Sequence, residues 1–413
     1  MDRMIINGGK ILSGSVRISG AKNSAVALIP AAILSDDIVK INGVPNISDI
    51  KALEEILVYL GAKITNKNGK IVIDTKEILN KEIPEHVSKK LRASYYFMSV
   101  LLGKYKKVSM YFPGGCNIGK RPIDQTLKAF RALGATVIEN DNKYDIYADE
   151  LIGNEINLDM PSVGATINAI FASVKAKGQT IINNSAQEPE IDNVIDFLNN
   201  MGADIKRDKT SIIINGVEHL HSSEINVIPD RIEAGTYLIL GALIGDNLKV
   251  ENVIPEHISS LLDKFDEMGV NYKIDKNSII VSKTDNLKPV EVITKGYPGF
   301  ATDLQQPFTV LLTQCDGVSH LTETIYENRF QNVEYLNSMG ANIKINERTI
   351  EITGKTKLTA NTVKATDLRA GACMVLASLI ADGKTIIEDI NHVLRGYENI
   401  IQKLQNIGAK IEE

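Results

Sequence analysis

Cysteine is scarce in this chain. Three residues of 413 (Cys116, Cys315 and Cys373) are too few and too scattered for a disulfide framework, and there is no Cys-x-x-Cys. Cys315 and Cys373 lie in apolar stretches and read as core. The six histidines show no zinc-ligand spacing, and His219 and His221, two apart beside Leu220, read as surface residues, so no metal site is expected. No apolar helical run reaches the ~20 residues needed to cross a bilayer, so no membrane-spanning helix is expected. An excess of basic charge is also missing. A net charge of -5 and a pI near 5.8 exclude a general nucleic-acid binder, so any basic site must be local. The opening residues lack a basic segment followed by an apolar core, so no signal peptide is expected and a cytoplasmic location follows. What remains is 44% hydrophobic and 23% charged, enough core material for two or three domains at this length.

Repetition is what the chain has in quantity. An apolar residue, a glycine, a small apolar residue and then an alternating strand occur six times, at Leu60-Gly61-Ala62, Leu133-Gly134-Ala135, Met201-Gly202-Ala203, Met268-Gly269-Val270, Met339-Gly340-Ala341 and Ile407-Gly408-Ala409. Successive glycines are 73, 68, 67, 71 and 68 residues apart, so each copy is one folding unit. Each glycine is placed to end a helix in the left-handed conformation. Aligned on it, every copy predicts a short strand, an almost wholly apolar helix, a second strand, an amphipathic helix and a hairpin. The apolar helices fall at 24–34, 94–102, 165–174, 234–244, 300–312 and 369–380. Being apolar on all sides, they belong inside their domain. The last copy stops after one hairpin strand, and Met4-Ile5-Ile6-Asn7-Gly8, which repeats the pattern of Ile212-Ile213-Ile214-Asn215-Gly216, supplies the partner. The copies then divide three and three, into a domain of residues 21–227 and a second of 1–20 with 228–413, joined by two hinge-like crossings.

Unusual residues collect in the loops that feed the apolar helices: Lys22-Asn23, Lys90-Leu91-Arg92, Ser162-Val163-Gly164, Asp230-Arg231-Ile232-Glu233, Gly299 to Asp303, and Asp367-Leu368-Arg369. The repeat puts these loops at one end of each domain. Free N–H groups and the positive ends of helix dipoles, together with Lys22, Arg92 and Arg369, suit an anionic ligand. Arg231 and Glu233 also suit a local ion pair. The second copy is longer than the rest, and the excess lies in the Pro113 to Asp124 loop. There Pro113 and Pro122 stiffen the ends, Gly114, Gly115 and Gly119 open backbone conformations closed to other residues, and the middle is expected to swing. Cys116, followed by Lys120 and Arg121, is in an electropositive setting that lowers a thiol's pKa, which makes it a candidate acid or nucleophile. The alternative is a small buried hydrophobe. Gly114, Gly119 and Lys120 also fit a P-loop, but Arg121 stands where that loop needs a hydroxyl for magnesium.

Taken together, Gly20-Ala21-Lys22-Asn23, Leu91-Arg92-Ala93-Ser94, Pro113-Gly114-Gly115-Cys116, Arg121-Pro122, Pro161-Ser162-Val163-Gly164-Ala165-Thr166, Tyr297-Pro298-Gly299-Phe300, Thr302-Asp303, Glu323-Thr324-Ile325, Glu327-Asn328-Arg329-Phe330, Ala365-Thr366-Asp367-Leu368-Arg369 and Arg395-Gly396-Tyr397 resemble the enolpyruvyl transferase family over the whole chain. The resemblance implies an α/β fold of two domains, each a threefold-repeated inside-out barrel with helices buried among sheets and outer helices. It implies transfer of the enolpyruvyl group of phosphoenolpyruvate to the 3'-hydroxyl of UDP-N-acetylglucosamine with release of phosphate, the first committed step of peptidoglycan synthesis, with no metal or organic cofactor. Cys116 matches the family's proton donor, the residue alkylated by fosfomycin, and Asp303 the carboxylate on the sugar hydroxyl, proposed as base. Lys22, Arg121 and Arg395 match phosphate-holding groups, with Asn23 beside Lys22. Arg92 and Arg369 match groups around the carboxylate and intermediate, and Asp367 an aid to proton transfer. For the sugar nucleotide the matching positions are Asn23, Arg92, Arg121, Pro122, Ile123, Asp124, Gln125, Ser162, Val163, Gly164, Asp303 and Ile325. Met160 departs from the family pattern, since some members carry lysine there toward the diphosphate. The rival readings are the sister transferase acting on a small phosphorylated ring, which lacks the Pro-Gly-Gly-Cys loop, and a silent paralogue that binds sugar nucleotide.

Overall fold

Gly61, Gly134, Gly202, Gly269, Gly340 and Gly408 all hold positive φ, between 78° and 106°. In each copy the residue after the glycine donates its N–H to the carbonyl five positions back, from Ala62 to Leu57 in the first and from Ala409 to Leu404 in the last. A side chain would be strained at the glycine, so the residue that ends each amphipathic helix also fixes where the next hairpin starts.

The computed structural model describes residues 2–114 and 122–412. They form two compact units: unit I, of residues 20–114 and 122–228, and unit II, of residues 2–19 and 229–412. The interior of unit I is filled by helices Lys22–Ala31, Tyr96–Tyr105 and Val163–Ser173, and that of unit II by Arg231–Ile244, Thr302–Leu312 and Leu368–Ile380. Each fully buried Leu, Ile or Phe on them contributes about 1.5–3 kcal/mol. Some hydroxyls caught inside turn back on their own helix, as Thr236 does to the Ile232 carbonyl at 2.8 Å and Thr309 to that of Gln305 at 2.9 Å, whereas those of Ser173 and Tyr237 have no hydrogen-bond partner among the described residues.

Among the described residues three sheets surround the helices of each unit. The recurring order is seen in Glu155–Asn157, Gln179–Asn183, Ser211–Asn215 and Asp204–Asp208. A short edge strand runs parallel to the strand that follows the buried helix, and the hairpin completes the sheet antiparallel. Each unit is thus an α/β barrel turned inside out. The first and fourth copies trade edge strands. Leu12–Arg17 pairs with Gly245–Glu251 in unit II, and Glu224–Asn226 pairs with Ile38–Asn42 in unit I. In unit II the strand Arg3–Asn7 lies between Lys384–Glu388 and Lys410–Glu412, antiparallel to both, which buries Met4 and Ile6 completely.

The second copy departs from the expected element order. Its sheet, Lys107–Tyr111, Lys143–Tyr147 and Thr136–Asn140, has three strands, and a single bridge from Ile83 to Met110 stands in for the edge strand. Pro84 has no N–H to extend that ladder, and the helix Glu85–Ser88 begins directly after it.

Where the chain leaves unit II for unit I, Ser19 is held on every side. Its N–H donates to Glu233 Oε2 at 2.8 Å, its hydroxyl to Glu398 Oε2 at 2.5 Å, and its carbonyl accepts the Asp230 N–H at 2.9 Å. Lys403 Nζ reaches both the Ser19 hydroxyl, at 2.7 Å, and Glu233 Oε1, at 2.6 Å. Glu233 therefore serves Ser19 and Lys403, a correction to the local pairing with Arg231 that adjacency suggested. Burial pushes the Glu233 carboxyl up to about 7, against the pull of Lys403. Because the folded value exceeds the unfolded one, this group favours the fold at low pH and its contribution is lost as pH rises through about 7. The melting temperature of the wild type, relative to Glu233→Gln, is expected to fall between about pH 5 and 8. A pH-independent difference would refute this.

Candidate active site

In unit II the starts of the three buried helices carry the predicted residues. Asp230 and Asp367 cap two of them, each through Oδ1: Asp230 accepts the N–H groups of Ile232 and Glu233 at 2.8 and 3.0 Å, and Asp367 those of Arg369 and Ala370 at 2.7 and 3.0 Å. These bonds satisfy N–H groups that a helix leaves free at its start. The third helix, Thr302–Leu312, has no side-chain cap and holds Asp303 in its first turn.

Two guanidiniums grip Asp303. Arg329 Nη2 donates to Oδ1 at 2.7 Å and Arg369 Nη2 to Oδ2 at 2.8 Å. The arginine side chains are 3% and 5% exposed, whereas that of Asp303 is 26% exposed, so the carboxylate presents an open edge over buried cations. Burial alone would raise the Asp303 carboxyl, but the Arg369 and Arg329 charges outweigh it and hold the group well below the usual carboxylate range. While both arginines stay, Asp303 is a firm acceptor of hydrogen bonds and a weak base. Arg369 also lies over the Tyr397 ring, 5.5 Å from its centroid, and the Tyr397 hydroxyl meets Thr236 Oγ1 at 3.0 Å. The second Asp367 oxygen, Oδ2, is buried without a hydrogen-bond partner among the described residues. Arg395, half-buried, follows the short helix Asn391–Leu394.

Ile325 is exposed on a turn that Glu323 builds. Glu323 Oε1 accepts the N–H groups of Ile325 and Tyr326 at 2.8 and 3.2 Å and the Thr294 hydroxyl at 3.0 Å, while Oε2 accepts the Thr302 hydroxyl at 2.7 Å. Arg329, Glu323 and Tyr397 were absent from the predicted site. The signal for the first two was present in Glu323-Thr324-Ile325 and Glu327-Asn328-Arg329, where charged residues flank apolar ones in a loop.

In unit I the predicted residues form three groups. Lys22 opens the helix Lys22–Ala31 with Asn23 behind it, and its Nζ lies 2.7 Å from Oδ2 of the buried Asp49. Arg92 begins the turn Arg92–Tyr95 with its guanidinium 5.4 Å from the Tyr95 ring centroid. The Tyr95 hydroxyl leaves no space for a side chain at Gly164, where a Cβ would fall 1.5 Å away. Ser162 caps the helix Val163–Ser173 by accepting the Ala165 N–H at 3.3 Å, which gathers Arg92, Ser162, Val163 and Gly164. Pro122 is exposed and Ile123 buried ahead of the helix Asp124–Ala132. Gln125 joins this segment to residue 159, donating to Asp124 Oδ2 and Asp159 Oδ2 and accepting the Asp159 N–H, each at 2.9 Å. Met160, next along, is 59% exposed.

Cys116, Lys120 and Arg121 lie outside the described residues, as do Gly115 and Gly119. Gly114 is described, and its role differs from expectation. Its φ is not positive, and what requires glycine is the Lys89 carbonyl, 1.9 Å from where a Cβ would stand. Among the described residues no group of His, Cys, Asp and Glu could hold a metal, and no helix is long and apolar enough to cross a membrane.

Comparison with known proteins gives a consistent result. The family model described as EPSP synthase (3-phosphoshikimate 1-carboxyvinyltransferase) matches residues 6–404. A Listeria monocytogenes protein named UDP-N-acetylglucosamine 1-carboxyvinyltransferase 2 is 50% identical over 411 residues, 99% of this chain and 97% of its own length. One of the same name from Bacillus cereus is 49% identical over 413 residues, 100% of this chain and 96% of its own. Among solved structures, the enolpyruvyl transferase NikO from Streptomyces tendae superposes with a TM-score of 0.91 at 25% identity, covering 100% of this chain and 98% of that one. An EPSP synthase from Acinetobacter baumannii shares the fold, with a TM-score of 0.76 at 18% identity and 100% of both chains covered. With a family model matched over nearly its full length and relatives at half identity, the chain belongs to the enolpyruvyl transferase family.

Proposed function

We propose that the protein transfers the enolpyruvyl group of phosphoenolpyruvate to the 3'-hydroxyl of UDP-N-acetylglucosamine and releases phosphate, as a step of peptidoglycan synthesis in the cytoplasm. The observation that carries this reading is half identity along the full length to relatives named for that reaction. In the addition step the sugar oxygen bonds to C2 of phosphoenolpyruvate, C3 gains a proton and the hydroxyl loses one. In the elimination step C3 gives a proton back as the bond from C2 to the phosphate oxygen breaks. An acid and a base must therefore serve opposite sides of the reacting atoms. Cys116 is assigned as the acid at C3. Asp303 is assigned to the sugar hydroxyl, where it accepts the hydroxyl's hydrogen bond on its open edge, and it becomes a more competent base as Arg369 turns to the anionic substrate while Arg329 stays in place. Lys22, Asn23, Arg121 and Arg395 are assigned to the phosphate, Arg92 and Arg369 to the carboxylate, and Asp367 Oδ2 to proton passage. Asp124, Gln125, Pro122, Ile123, Ser162, Val163, Gly164 and Ile325 are assigned to the sugar nucleotide.

Phosphate release measured with phosphoenolpyruvate and either UDP-N-acetylglucosamine or shikimate 3-phosphate tests the reading. Release is expected with the sugar nucleotide alone. Release with the shikimate ester, or with neither acceptor, would overturn it.

A further inference from the structure

We propose that Glu323 is a positioning residue that sets Asp303 and Ile325 for the sugar nucleotide through one buried carboxylate. The proposal rests on the function proposed above and deepens it. Glu323 is 1% exposed. Its backbone is fixed just beyond the strand Val318–Thr322, where its N–H donates to the Arg348 carbonyl at 2.8 Å, so the side chain projects from a rigid base. From there Oε1 gathers the N–H groups of Ile325 and Tyr326 and so shapes the turn on which Ile325 stands. Oε2 takes the hydrogen of the Thr302 hydroxyl. Thr302 Oγ1 accepts Arg329 Nη1 at 2.9 Å, and Arg329 Nη2 holds Asp303 Oδ1 at 2.7 Å. One branch thus ends on the turn carrying Ile325 and the other on Asp303.

The polarity of this chain is forced. Arg329 can only donate, so the single hydrogen of Thr302 must point at position 323, and two backbone donors already converge on the other oxygen there. Only an ionised carboxylate accepts on both sides. Glutamine at 323 can keep its oxygen toward Ile325 and Tyr326, but its amide then faces Thr302 as a donor. Glu323→Gln therefore spares the turn but replaces the charged end of the Asp303 branch by a neutral amide that turns the Thr302 hydrogen away, and Thr302→Val removes that branch outright.

Steady-state phosphate release by wild type, Glu323→Gln, Thr302→Val and the double variant tests this, with melting temperatures recorded alongside. Each single variant is expected to raise KM for UDP-N-acetylglucosamine about five- to fiftyfold, the range for losing one bond to a buried charge, with KM for phosphoenolpyruvate within about threefold. The double variant is expected to be no worse than the worse single one, because both changes cut the same branch. Equal rises in both KM values, independent effects that multiply, or a lowered melting temperature with the KM ratio unmoved would each overturn the proposal while the proposed reaction stands. Wild type that turns over no UDP-N-acetylglucosamine would instead overturn the reaction, and this proposal with it.

Discussion

Asp303→Ala is expected to abolish measurable turnover and to destabilise unit II in the same stroke. The side chain is the shared partner of Arg329 and Arg369, whose guanidiniums are 3% and 5% exposed. Removing it strands two buried cations, and breaking a buried pair from one side typically costs about 3–5 kcal/mol. The loss of turnover should be at least about 10²–10³-fold, the usual effect of deleting one preorganised polar group at a reacting centre. Asp303→Asn keeps the shape and one acceptor oxygen while turning an amide toward the other guanidinium. It should lose comparable activity with a smaller drop in melting temperature. Wild-type melting of Asp303→Ala would show that the guanidiniums do not depend on this carboxylate. The pH dependence has a definite sign. The folded Asp303 value is depressed, so its stabilisation is present above the unfolded value near ~4 and lost as pH falls below it. Above pH ~5 Asp303 stays ionised, and an inflection in melting temperature there belongs to another group, with Glu233 first in line.

The second large effect is expected at Cys116. Cys116→Ser replaces a thiol acid by a hydroxyl that gives up its proton far less readily, and phosphate release should fall by about 10²–10⁴-fold, the usual share of a general acid. Fosfomycin should add once to the wild type and leave Cys116→Ser unlabelled, as read by intact mass. The other two cysteines make this test clean. Both are fully buried, and burial pushes the Cys315 thiol up to about 11 and that of Cys373 up to about 12, so neither offers thiolate at neutral pH. Labelling at either would mean that the reactive thiol had been misassigned.

Most of the architecture is legible in the chain because it rests on local chemistry. Six glycines in one frame, six apolar helices and a first strand that completes the last hairpin are all matters of spacing and of residue type. The site was legible only in part. Lys22, Arg92, Asp303 and Arg369 stand out because charged residues at the mouths of apolar helices are conspicuous. That Asp303 answers to a second arginine 26 positions away, that Lys22 meets Asp49, and that Glu323 underpins the Ile325 turn are tertiary facts which no local pattern encodes. The failed edge strand at Ile83 was readable in principle from Pro84. Gly114 misled for a simple reason: glycine serves close approach as well as positive φ, and the letter in the sequence is the same.

Arg3–Asn7 and Leu12–Arg17 find their sheet partners in strands that begin at Gly245, Lys384 and Lys410. On the ribosome these two segments emerge long before their partners and must wait for them to be made. All of the strand pairings among the described residues of 20–228, by contrast, are in hand once Asn226 has emerged. Translation thus imposes an order on assembly, with one half able to mature on the nascent chain and the other closed only once Lys410–Glu412 has emerged, a span during which the two early strands depend on chaperones or on their own solubility.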